Sequence, residues 1–279
     1  MKSFHFFGLA LLALSINLAS CNNAETEKKE PVAEAKAFKL VEQNVDYTGD
    51  GINMKGYIAY DGNDSAARPA VLVVHEWWGL TDYPRRRARE LAELGYVAMA
   101  VDFYGEGKTA DNPDSAGIYA KPFYSNAQMT KARFDAAVAK LKTYPQVDGS
   151  KLAAIGYCFG GAQVLNLARM GEDLKGVVSF HGNLLGVPLD KSKLKAAMLI
   201  CHGAADPFVR PAEVTMFRKE MDSIGAAYTF KAYDGALHAF TNPEATELGV
   251  KFKLPIKYDA AADTASWSEM KIFLKQVFQ

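Results

Sequence analysis

Cysteine is scarce in this 279-residue chain, which holds only Cys21, Cys158 and Cys201 and no Cys-x-x-Cys pair. That spacing excludes the usual dithiol redox centre and a cysteine-framed zinc site. The five histidines, His5, His75, His181, His202 and His238, show no short metal-ligand spacing either, and nothing in the chain calls for a metal or an organic cofactor. Net charge is absent too, because Lys+Arg and Asp+Glu both number 32 and neither end carries a basic run. Such a balance gives no electrostatic reason to expect nucleic acid as a partner. No apolar run reaches the roughly 20 residues that a spanning helix needs. What is present is ordinary globular composition, 49% hydrophobic and 23% charged, enough for one substantial core.

The first 20 residues join Lys2 to an apolar segment, Phe6 to Leu18, followed by the small residues Ala19 and Ser20. This is the pattern of an export signal. Its end, Leu18-Ala19-Ser20-Cys21, resembles the bacterial lipobox, which implies cleavage before Cys21 and lipidation of that cysteine. An ordinary secretory signal with an incidental cysteine is the alternative. The expected location is the bacterial cell envelope, lipid-anchored, with Asn22 favouring the outer membrane or periplasmic face. Residues 21–36 contain almost no large apolar side chain and read as a flexible tether. The catalytic-sized domain is then expected over residues 37–279. If Cys21 is lipidated, Cys158 and Cys201 remain in a compartment that permits disulfides, but Cys201 lies in the apolar run AAMLIC and reads as a buried strand thiol.

From Phe38 to Tyr60 two alternating runs flank Gly49-Asp50-Gly51 and predict an antiparallel hairpin. Continuous apolar runs follow at 70–75, 96–102, 151–157, 176–182, 196–203 and 228–235. Helical patterns lie near 83–94, 126–143, 160–169, 211–224 and 262–278. Continuous strands alternating with helices predict an α/β fold with a mainly parallel sheet covered on both faces and the hairpin at one edge. Ligands of such sheets bind beyond the carboxyl ends of the strands, where Glu76, Cys158, His181, Asp206 and His238 fall.

The turn Gly156-Tyr157-Cys158-Phe159-Gly160-Gly161 has the form of a nucleophile elbow, Gly-x-Ser-x-Gly with cysteine in place of serine. Its glycines are equally compatible with a sharp bend around a passive thiol. The order of the other residues favours chemistry, since Asp206 follows one later strand and His238 the last, as an acid and a base must in this fold. A thiol is a poor nucleophile until an imidazole takes its proton and a carboxylate fixes the tautomer of that imidazole. Glu76 follows the first long apolar strand, where a charged residue is either in a wet cleft or a simple surface carboxylate. His181 and His202 read as packed or hydrogen-bonding strand-end residues. Trp77 and Trp78 suit either an acyl pocket or the core. Arg85, Arg86, Arg87 and Arg89 read mainly as a solvated helix face.

With these residues in view the sequence resembles the dienelactone hydrolase family of α/β-hydrolases. The matching stretches are HEWWG (75–79), VDFYG (101–105), GYCFGG (156–161), SFHG (179–182), CHGAADPFV (201–209) and HAFTNP (238–243). The resemblance implies a Cys158, His238, Asp206 triad that opens a small-molecule ester or lactone through an acyl-thiol intermediate. It further implies that Glu76 contacts the resting nucleophile and that the backbone N–H groups of Trp77 and Phe159 form the oxyanion hole. One departure stands out, because members acting on dienelactone carry an arginine shortly after the histidine and this chain continues Ala239-Phe240-Thr241-Asn242. A non-catalytic envelope binding protein on the same scaffold is the competing reading, and the sequence carries no signal of oligomeric state.

Overall fold

The computed structural model describes residues 37–279, so the expected signal (1–20) and tether (21–36) lie outside the described residues. The first two strands, β1 (Leu40–Gly49) and β2 (Ile52–Asp61), form the expected hairpin. Asp50 and Gly51 turn it with φ of 54° and 72°, the pair of positive values that an Asp-Gly turn accommodates. The chain continues through β3 (Arg68–Val74), α1 (Asp82–Glu93), β4 (Val97–Val101), α2 (Pro113–Ser125), α3 (Ala127–Leu141) and β5 (Val147–Tyr157). It ends with α4 (Phe159–Met170), β6 (Gly176–Phe180), β7 (Ala197–Gly203), α5 (Pro211–Ile224), β8 (Tyr228–Tyr233), α6 (Ala245–Phe252) and α7 (Ala260–Val277).

The eight strands order as β1-β2-β4-β3-β5-β6-β7-β8, with β3 to β8 parallel and β2 antiparallel to β4. This is the expected sheet, hairpin at the edge included. Alternation within each strand splits the core between two faces. Leu72, Val74, Met99 and Val101 pack with Phe134, Val164, Leu167 and Phe217 on the side of α3, α4 and α5. Val71, Val73, Ala98 and Ala100 pack with Leu91, Met270 and Leu274 on the side of α1 and α7. The paired stretches of the central strands are therefore almost wholly apolar, which is why their sequences show no period of two.

Two helices depart from expectation. In α2, Gly117 and Pro122 stand inside the helix and blur its pattern, while Asn112 caps it through a bond from the Ser115 N–H and Pro113 opens it. The eight residues of α6 are too few to show a period.

Topology opens the crevice. The connection from β3 leads to β4 on one side, whereas the next strand, β5, lies on the other side of β3. Loops leaving the carboxyl ends of β3 and β5 diverge there, as at the switch points of open α/β sheets. The domain's two ends lie at the opposite pole. Leu40 pairs with Asp61, beyond the amino end of β4, and the carbonyl of Phe278 accepts from Lys151 Nζ (2.8 Å), in β5 one residue before Leu152, which pairs with Ala70 near the amino end of β3.

Candidate active site

Cys158 occupies the junction of β5 and α4 with φ 53° and ψ −113°, a region that costs a non-glycine residue about 1–3 kcal/mol. The bend depends on its flanking glycines. A Cβ on Gly156 would stand 2.1 Å from the Gly160 carbonyl oxygen, and one on Gly160 would stand 2.3 Å from that of Val74. The strained residue is held from behind, because its N–H donates to the Phe180 carbonyl (3.0 Å) and to His181 Nδ1 (3.1 Å). Its side chain is half-buried and faces the cleft.

His238 and Asp206 converge on the same place. Asp206 Oδ1 accepts the N–H of Phe208 and Oδ2 accepts from His238 Nδ1, both at 2.8 Å. A proton fixed on Nδ1 leaves Nε2 to deal with the thiol. Burial alone would push the His238 pKa down, but the charge and hydrogen bond of Cys158, with the bond to Asp206, outweigh it and push it up to about 10. The neighbouring Cys158 and the Asp206 carboxylate thus favour the protonated form of the His238 ring.

Glu76 lies in the same cleft, 3% exposed. Its Oε2 accepts from Asn242 Nδ2 at 2.6 Å, and Asn242 Oδ1 is itself engaged by the Glu244 N–H. Burial raises the carboxyl pKa to about 7, against the opposing pull of the Asn242 hydrogen bond and the His238 charge. Asn242, standing near the place of the missing arginine, is committed to Glu76. Of the two expected oxyanion donors, Trp77 lines the cleft and Phe159 directly follows Cys158, and among the described residues nothing accepts a hydrogen bond from either backbone N–H. Phe159 is the first residue of α4, so its N–H also lies at the positive end of the helix.

The brace behind the nucleophile was not legible in the sequence. Because His181 Nδ1 accepts from Cys158, its proton sits on Nε2, which meets Thr241 Oγ1 at 2.7 Å. Thr241 also meets the Tyr83 hydroxyl (2.6 Å), and its carbonyl accepts from Arg87 (2.9 Å). Arg87, expected on a solvated face, is instead buried and paired with Asp263 of α7. Burial, with the nearby charges of His238 and Arg87, holds the His181 pKa well below its ordinary value and keeps the ring neutral. His202 packs its ring against Phe230 (5.7 Å). Cys201 is fully buried and accepts from the Tyr233 hydroxyl at 3.6 Å; both it and Cys158 are free thiols.

The cleft encloses about 190 Å³. Trp77, Trp78, Tyr124, Phe208, Leu254 and Ile256 give it apolar walls, Asn183 adds one amide, and no lysine or arginine is among the described residues that line it. Trp78 also stacks on Phe252 of α6, 5.8 Å between centroids. Sequence reasoning missed Tyr124, Asn183, Phe208, Leu254 and Ile256, which reach the cleft from four separate segments with no shared motif.

The family model described as "Dienelactone hydrolase family" matches residues 54–278. "Protein usf" of Aquifex pyrophilus is 31% identical over 240 residues, covering 84% of this chain and 98% of its own. A protein of Aquifex aeolicus named "Putative carboxymethylenebutenolidase" is 32% identical over 232 residues, covering 75% of this chain and 96% of its own. Among solved structures, a dienelactone-hydrolase-like promiscuous phosphotriesterase from metagenomic libraries superposes with a TM-score of 0.81 at 35% identity, over 86% of this chain and 99% of that one.

Proposed function

The chain belongs to the dienelactone hydrolase family of α/β-hydrolases and is a hydrolase; on that premise we propose that it cleaves uncharged carboxylic esters or lactones with Cys158 as nucleophile. The observation that carries this reading is the strained Cys158 at the head of α4, acting on a His238 ring whose Nδ1 is fixed on Asp206 at 2.8 Å. Cys158 attacks the carbonyl carbon while His238 holds the thiol proton, and the N–H groups of Trp77 and Phe159 receive the oxyanion. His238 passes the proton to the leaving alkoxide as the acyl-thiol forms. It then takes a proton from the water that releases the acid.

Two features support an uncharged substrate. Among the described residues no lysine or arginine lines the cleft, and Glu76 lies within it with a carboxyl whose ionisation centres on about pH 7. A substrate carboxylate would meet like charge there once Glu76 ionises, with no lysine or arginine beside it to offset that charge. The relative named a carboxymethylenebutenolidase supports the ester and lactone class, and the commitment of Asn242 to Glu76 argues against an anion clamp.

A screen of aryl esters and lactones on a soluble form tests this, using each acid portion with and without a carboxylate. Expected are covalent acylation of Cys158, a loss of at least roughly a thousandfold in kcat for Cys158→Ala, and higher kcat/KM for the uncharged member of each pair. Unchanged turnover in Cys158→Ala would end the proposal. The lipobox-like Leu18-Ala19-Ser20-Cys21 supports the further proposal that the enzyme is held at the cell envelope by a lipid on Cys21.

A further inference from the structure

His75 directly follows β3, is fully buried and does not line the cleft. Both ring nitrogens are committed. The Phe103 N–H points at Nε2 (3.3 Å), so that nitrogen is an unprotonated acceptor. The ring proton therefore sits on Nδ1 and is donated to the Glu76 carbonyl at 2.6 Å. Gly79 N–H reaches the same carbonyl at 3.1 Å. Burial holds the His75 pKa below its ordinary value, as a neutral ring requires.

The consequence falls on the next residue. In a planar trans peptide the carbonyl and the following N–H point in opposite directions, and no peptide among the described residues is cis. Fixing the Glu76 carbonyl therefore fixes the direction of the Trp77 N–H. His75 grips the other donor as well. Its ring stacks on Phe159, 5.7 Å between centroids and 21° between planes, and its own carbonyl accepts from the Gly160 N–H (3.1 Å). Tyr104 closes the assembly, packing on His75 at 4.7 Å and donating its hydroxyl to the Trp77 carbonyl at 2.9 Å.

We propose that His75 is a positioning residue that holds the backbone N–H groups of Trp77 and Phe159 in the arrangement that receives the oxyanion. This rests on the acyl-thiol mechanism above. It acts through the two peptides and touches neither substrate nor thiol.

Two reactions of one thiol separate this role from a merely structural one. Acylation by an aryl ester builds an oxyanion. Alkylation by iodoacetamide does not: a C–S bond forms at a saturated carbon and iodide leaves. In His75→Leu, the acylation burst is expected to fall roughly 10- to 100-fold while alkylation of Cys158 stays within about twofold of wild type. His75→Gln, whose amide can still donate to the Glu76 carbonyl, is expected to recover part of the loss and serves if the leucine variant does not fold. The proposal is overturned if acylation and alkylation fall in parallel in the glutamine variant, or if acylation is unchanged in His75→Leu. Wild-type protein that still turns over ester after complete alkylation of Cys158 would instead overturn the mechanism beneath it.

Discussion

Glu76 brings an ionisable carboxyl into a site whose burial opposes its charge, and the folded protein bears the consequence as pH rises. The unfolded chain ionises this group near 4.5, whereas the folded protein retains its proton until about 7. Between those values the unfolded state binds fewer protons, so stability falls with rising pH and stays lower above 7. Glu76→Gln keeps an acceptor for Asn242 and removes the titration. It is expected to be more stable than wild type by roughly 3 kcal/mol at pH 8, with the gap closing toward pH 4, as measured by urea denaturation at both values. Cys158, Asp206, His238 and Glu76 could be picked out in the sequence because each lies at the end of an apolar run or on the loop just after one. His181 was legible as a packed or hydrogen-bonding strand-end residue, but the residues it is braced with, Thr241, Tyr83 and Arg87, were not, since their bonds join residues far apart in the chain. Arg87 in particular gives no local sign that Asp263, 176 residues later, will be its partner.

At the scale of elements, the elbow is a contact between backbones, and its glycines differ physically from glycines that only interrupt a helix. Gly160→Ala would drive a methyl into the Val74 and His75 carbonyls, neither of which can move without shifting β3. Gly117, inside α2, has nothing within 4 Å of its missing Cβ. Gly160→Ala is therefore expected to lose soluble folded protein or several kcal/mol of stability, whereas Gly117→Ala should gain about 0.5–1 kcal/mol in denaturant titration. Equal effects from the two would refute the close packing of strand and helix. The same contrast explains which elements were readable. The α5 boundaries, Pro211 to Ile224, match expectation because Pro opens the helix and Gly225 closes it at φ 66°, while α2 and α6 lacked a clean period.

The whole molecule follows from one rule, that apolar strands alternating with helices make a parallel sheet, and the order of strands about β3 then places the crevice. Which side chains wall that crevice is a property of loop conformation and was not legible. On the proposed reading the complete chain also carries a lipid. Growth in a bacterial host with a radiolabelled fatty acid is expected to label the wild type and leave Cys21→Ser unlabelled, read by autoradiography of the purified protein; label retained on Cys21→Ser would rule out that anchor. The poles of the sheet have a practical meaning as well. Leu40 and Phe278 both lie at the amino ends of the central strands, whereas Cys158 and His238 lie at the carboxyl ends. A fluorescent partner, a bead or a sensor surface joined at either end of the domain meets the base of the sheet. Reagents in solution then keep a clear approach to the thiol.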